Sequence, residues 1–202
     1  MTERARGVGL RIGTAFDDHL TLTTACREVL AEPILRAAEG IVRALGAGGA
    51  VLACGNGGSA AHAQHLVAEL VGRFERPRPG WRAVALVADP AVLTSISNDF
   101  GYEQVFARQV EALARPRDVL VAISTSGRSA NVLAAVCAAR AVGCTVIGLT
   151  GAAPNPIVDV SDVAVAVPST DVARVQELHT LLLHAMTGAV EELASSPRAE
   201  RT

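Results

Sequence analysis

Between residues 18 and 45, apolar side chains recur at three- and four-residue steps: Leu20, Leu22, Cys26, Leu30, Ile34, Leu35, Ala38, Ile41 and Leu45. This period predicts a helix with one apolar face. Pro33 stands inside it and has no amide hydrogen for the helical ladder, so two helices are expected rather than one. Ala47-Gly48-Gly49-Ala50 then breaks the pattern. Beyond it, apolar runs at residues 50–54, 83–88, 119–124, 144–149 and 163–167 alternate with helically spaced segments at 59–73, 91–96, 103–114, 129–142 and 171–193. Short apolar runs without polar alternation suit strands covered on both faces. Their alternation with helices predicts an α/β fold with a parallel, doubly wound sheet. Ligands bind such sheets at the carboxyl ends of the strands, beside the topological switch point. Residues 74–81, Phe-Glu-Arg-Pro-Arg-Pro-Gly-Trp, read as a rigid surface connection. One domain is expected over residues 16–195, with an N-terminal extension of little order at 1–15 and a polar tail at 196–202.

Half of the 202 residues are hydrophobic but only 3% are aromatic, so Ala, Val and Leu must fill the core. The formal charge of −2 supplies no basic field, which argues against a nucleic-acid partner. No apolar run approaches the ~20 residues that span a membrane. Cys26, Cys54, Cys137 and Cys144 form no CxxC pairs and follow no secretory signal, so a cytoplasmic protein with reduced thiols is expected.

Two strand-to-helix connections can hold a phosphate. The first is Cys54-Gly55-Asn56-Gly57-Gly58-Ser59. Its glycines permit positive φ and close backbone approach, so amide hydrogens can converge on an anion at the helix N-terminus. The same residues suit a tight turn with Ser59 as N-cap, and the loop alone does not choose. No Gly-Lys-Ser/Thr follows and no GxGxxG opens the helix, so neither a nucleotide nor NAD is expected. Gly7-Val8-Gly9-Leu10-Arg11-Ile12-Gly13 imitates that fingerprint, but no strand precedes it. The second connection is Ser124-Thr125-Ser126-Gly127-Arg128-Ser129. Its four hydroxyls exceed what a helix cap needs and suit the terminal oxygens of a phosphate monoester.

Four of the five histidines fall in two helical segments. His65 and Glu69, four apart, share a face, with His62 one turn earlier. In the last helix Gln176 and His184 are eight apart and lie roughly on one side, with His179 between them. A histidine among leucines must find a partner or stay neutral. Two uses stay open: a metal site formed by His65, Glu69, Gln176 and His184, or an acid–base pair of Glu69 and His184. The spacing is not HExxH, since Ala63 follows His62. Asn98-Asp99, after the second apolar run, reads as a turn or as a pair of polyol contacts.

Taken in order, CGNGGSA at 54–60, QHLVAEL at 64–70, SNDFGY at 97–102, AISTSGRSANV at 122–132 and RVQELH at 174–179, with His184, resemble the phosphoheptose isomerases. These are a branch of the sugar-isomerase (SIS) fold, and the resemblance runs over residues 20–193. It implies a single SIS domain with a five-stranded parallel sheet flanked by helices in three layers. It also implies a homotetramer with active sites shared between subunits. The implied reaction converts D-sedoheptulose 7-phosphate to D-glycero-D-manno-heptose 7-phosphate for nucleotide-activated heptose synthesis. By the same resemblance, Ser124, Thr125, Ser126 and Ser129 cradle the phosphate. Asn56, Gly57, Gly58, Ser59, Glu69, Asn98, Asp99 and Gln176 contact the sugar. His65, Glu69, Gln176 and His184 hold one Zn2+ per subunit, and Glu69 with His184 transfers the proton. Aldose–ketose isomerisation moves a proton between C1 and C2 through an enediol, which a carboxylate and an imidazole can perform near neutral pH.

Two positions depart from that family's pattern. His62 stands where Asp is frequent, and Arg128 where Asn is common. Two rival readings accompany the resemblance. One is a non-enzymatic SIS regulator resembling the replication-initiator-associating protein, which lacks counterparts of Glu69 and His184. The other is an isomerase of another sugar phosphate, since the serine loop reads only the phosphate end.

Overall fold

The structure, a computed structural model, describes residues 2–195. Its strands are β1 Val51–Gly55, β2 Ala83–Ala85, β3 Val119–Ser124, β4 Thr145–Thr150 and β5 Val163–Ala166. Its helices are α1 Glu3–Gly46, α2 Gly58–Val71, α3 Pro90–Phe100, α4 Ala107–Leu113, α5 Ala130–Val142, α6 Pro156–Val160 and α7 Val172–Ser195, with a 3-10 turn at Tyr102–Gln104. The strands pair in parallel in the order β2-β1-β3-β4-β5. The chain thus leaves β1 toward one edge and returns beside it as β3, which sets the switch point between these two strands.

Side chains alternate across each strand, so one sheet serves two cores. Val51, Ala53, Val119, Val121, Ile147 and Leu149 face α1, α2 and α7. Leu52, Cys54, Leu120, Ala122 and Val146 face α4 and α5. The result is the three-layer, doubly wound arrangement expected. β1 and β3 are buried throughout, whereas edge strand β2 is only half-buried. That exposure accounts for a strand shorter than the apolar run 83–88: only its first three residues pair.

Other expectations are corrected. Pro33 does not divide the first helix, since α1 runs unbroken for 44 residues and begins at Glu3, inside the segment read as an extension. A proline in a helix interior costs about 3 kcal/mol. Here Cys26, Leu30, Ala37, Ala38 and Ile41 are buried around it, and burying one large aliphatic side chain already returns about 1.5–3 kcal/mol. Asn98 and Asp99 do not form a turn but belong to the last turn of α3. That helix starts where the Asp89 carboxylate accepts from Ala91 and Val92 amides, with Pro90 at its first position. Residues 196–202, read as a polar tail, lie outside the described residues.

Candidate active site

The two loops stand side by side because β1 and β3 pair in register, Gly55 opposite Ile123. Gly57, with φ of 55°, is the N-cap of α2. Ser59 is therefore not the cap, and its buried side chain lies within the first turn. Asn56 is locked by neighbours that the sequence reading did not single out. Its amide exchanges two 2.8 Å hydrogen bonds with that of Asn131, and Tyr102 donates its hydroxyl to Asn56 Oδ1 at 3.1 Å. Tyr102 lies in SNDFGY and Asn131 in AISTSGRSANV, but a polar side chain in such a segment gives no sign of which partner it will meet.

In the second loop, Ser124 Oγ lies 3.0 Å from Ser129 Oγ and 3.4 Å from Ser126 Oγ, and the Arg128 amide donates to Ser126 Oγ at 3.2 Å. Gly127 has a φ of 64°, and a Cβ there would lie 2.0 Å from Asn155 Oδ1. The loop can therefore close only with glycine at this position. Asn155 is buried, caps α6 through the Val158 amide and donates to Thr150 Oγ1. Thr125, Ser126 and Arg128 line a cavity of about 390 Å³ with Ser169 and Thr170 opposite. Hydroxyls and one guanidinium at a helix start form a surface suited to a phosphate. Asn98 and Asp99 are exposed at the end of α3 and bonded to each other at 2.8 Å.

Helices α2 and α7 lie side by side and run in the same direction. Successive levels pair Gly58 with Gln176, His62 with Thr180 at 2.9 Å, and His65 with His184 at 2.9 Å. At the third level the Glu69 carboxylate enters from below: its Oε1 is 3.0 Å from His65 Nε2 and 3.3 Å from His184 Nε2. Glu69 is buried, and among the described residues its Oε2 has no hydrogen-bond partner. Two imidazole nitrogens and a carboxylate oxygen thus face one point.

That donor set fits zinc. Ligands at about 2.0–2.1 Å in a tetrahedron stand roughly 3.3 Å from one another, and the three donor–donor distances here are 2.9, 3.0 and 3.3 Å. Three protein ligands with a fourth position open is the arrangement of catalytic zinc. Gln176 is not at this level. Its side chain covers Gly58, and eight helical residues displace it from His184 by about 12 Å along the axis.

Beneath this row, His179 is fully buried, and its Nε2–H donates to the Thr150 carbonyl at 3.1 Å. Burial lowers its pKa to about 4, against the raising effect of the Thr150 bond and with a further lowering from His62. His62 is also lowered, by burial and by the nearby His65. Both rings are neutral at pH 7. His62 therefore adds no charge beside the carboxylate, although it stands where the resemblance favours an acidic residue.

The chain has close relatives. The sequence pattern of the SIS domain matches residues 16–151. A phosphoheptose isomerase of Thiobacillus denitrificans is 52% identical over 169 residues, covering 82% of this chain and 86% of that protein. The structure of phosphoheptose isomerase GmhA from Neisseria gonorrhoeae superposes with a TM-score of 0.87 at 43% identity, over 92% of this chain and 99% of the other. That of a phosphoheptose isomerase from Francisella tularensis gives 0.88 at 35% identity, over 95% and 100%.

Proposed function

The chain belongs to the SIS-domain family, in its phosphoheptose isomerase branch, and we propose that its own reaction is the interconversion of D-sedoheptulose 7-phosphate and D-glycero-D-manno-heptose 7-phosphate. It is an aldose–ketose isomerase. The observation that carries the proposal is the meeting of Glu69 with His184 at 3.3 Å, on helices flanking the strand ends.

The phosphate is held by Ser124, Thr125, Ser126 and Ser129, with Arg128 adding charge at the cavity wall. The open chain then extends toward Asn56, Gly57, Gly58, Ser59 and Gln176, with Asn98 and Asp99 at its outer side. The Glu69 carboxylate takes the proton from one of the two carbons C1 and C2 and returns it to the other. His184 handles the proton on the sugar oxygen. In this way the charge of the enediol is met by groups already in place.

His65, Glu69 and His184 would hold a zinc ion, one per subunit, whose chemistry when bound is to polarise the carbonyl. Nε2 of His184 has one lone pair, so that atom either carries a proton or serves as a ligand. Glu69 escapes the conflict because a carboxylate offers four lone-pair positions where an imidazole nitrogen offers one. Gln176, expected as a fourth ligand, is read as a sugar contact within one chain. Leu10, Ile12, Phe16 and Leu20 are exposed on α1, and apolar area gains about 25 cal/mol per Å² when a neighbour covers it. This supports association with further copies of the chain, and the homotetramer with shared sites is the assembly that the resemblance implies. All four cysteines are free, as the cytoplasm would keep them.

The experiment is an NMR assay of the purified protein with sedoheptulose 7-phosphate, pentose phosphates and hexose phosphates, each with and without chelator. Conversion of the heptulose phosphate in preference to the others is expected. Preference for a shorter sugar phosphate would overturn the substrate assignment, and conversion of none would return a regulatory role to first place.

A further inference from the structure

Glu191 is a carboxylate buried on α7, two turns past His184, and only 1% exposed. Its Oε1 accepts from the Phe74 amide at 3.0 Å and from Arg78 Nε at 2.9 Å. Its Oε2 accepts from the Glu75 amide at 3.0 Å and the Arg76 amide at 2.9 Å. These four donors fill the four lone-pair positions of a carboxylate. Burial alone would raise this carboxyl, but the bonds from Arg76, Glu75, Phe74 and Arg78 outweigh it and hold the group at about 2.

Arg78 also reaches the other helix of the site. Nη2 donates to the Glu69 carbonyl at 2.7 Å and Nη1 to the Leu70 carbonyl at 2.9 Å. Carbonyls in a last turn have no partner within their own helix, so Arg78 closes the C-terminus of α2. One ion pair thus ties α2, which bears His65 and Glu69, to α7, which bears His184.

The connection so anchored carries an aromatic ring to the site. Phe74 stacks on His184 with centroids 5.4 Å apart and planes 19° from parallel, within the range where aromatic rings attract. On its flank is Gly188, where a Cβ would lie 3.5 Å from Phe74 Cε1.

We propose that Phe74, anchored by the buried Glu191–Arg78 pair, is the positioning residue that fixes the His184 imidazole for proton transfer. The proposal rests on the isomerase reading above. An imidazole about its last torsion has a broad, two-fold energy surface, and a ring lying on one face confines it. Released, the ring swings, and Nε2 leaves its place beside Glu69. The phosphate loop is untouched by this change, so turnover falls while binding persists.

The test compares wild type with Phe74→Leu and Phe74→Tyr, assayed as intact protein treated with chelator, so that no ion holds His184 Nε2 and the atom can carry a proton. Phe74→Leu, at a half-buried position, should lower kcat about tenfold with KM within about twofold. Phe74→Tyr, which restores a flat ring, should return kcat to within about twofold of wild type. In NMR spectra the His184 ring protons should move downfield in Phe74→Leu and stay in Phe74→Tyr, a readout that does not depend on turnover. Glu191→Gln should lower kcat in the same sense, but it also weakens the fold, so the Phe74 pair decides. Wild-type kcat in Phe74→Leu, or a loss expressed wholly in KM, overturns the proposal. A wild type that turns over no sugar phosphate would instead sink the isomerase reading, and the positioning role with it.

Discussion

Gln176 occupies the space directly over Gly58: a Cβ added at Gly58 would stand 1.6 Å from its Nε2 and 2.5 Å from its Cδ. The obstacle is the free end of a flexible side chain, so an alanine displaces the amide and leaves the backbone alone. Gly58 opens α2, and Ala is favoured over Gly within helices by up to about 1 kcal/mol. Gly58→Ala should therefore keep or slightly raise the melting temperature while raising KM, and Gln176→Ala should raise KM likewise. Thermal melts and steady-state kinetics check this. An unchanged KM in both variants would remove Gln176 from the sugar site.

Zinc binding should follow the three donors that face one point. Calorimetric titration of the metal-free protein is expected to show one ion per chain, with affinity lowered at least roughly tenfold in His65→Ala. Gln176→Ala should bind zinc as wild type does if no neighbouring subunit lends that residue. A loss in Gln176→Ala as large as that in His65→Ala would mean that the amide reaches the ion in the assembled oligomer.

The central strands were legible because β1 and β3 are covered on both faces, and a continuous apolar run is what such burial demands. Edge strand β2 was overextended, since its apolar run continues past the last pairing residue. Pro33 was misread because its local penalty is outweighed by long-range packing with α7, which no local window contains. In the site, the shared face of His65 and Glu69 follows from four-residue spacing. Which level of α7 meets them does not: only the common direction of the two helices brings His184, rather than Gln176, to Glu69. The segment 74–81 carried no sign of its role, because polar, proline-rich sequence fits a surface connection. Its amides instead close on Glu191, more than a hundred residues further on.

Stability should fall in two acid windows. His179 is buried neutral, with its pKa lowered from 6.5 to about 4. The unfolded chain binds a proton in that interval and the folded one does not, so stability is lost as pH falls from 6.5 toward 4, by up to about 3 kcal/mol. Glu191, lowered from 4.5 to about 2, acts in the same direction below that: its contribution, also up to about 3 kcal/mol, is present above 4.5 and lost as pH falls toward 2. Urea midpoints measured from pH 7 to pH 3 should decline through both intervals. His179→Asn should flatten the upper one, and a flat wild-type profile between 6.5 and 4 would contradict the assignment.

Isomerisation of sedoheptulose 7-phosphate in D2O, followed by NMR, tests most directly whether the juxtaposed Glu69 and His184 move the proton. Wild type should form the aldose phosphate and incorporate solvent deuterium at carbon. Glu69→Gln and His184→Ala should each lose turnover by about two to four orders of magnitude while keeping native circular dichroism. Turnover near the wild-type rate in either variant would contradict the account.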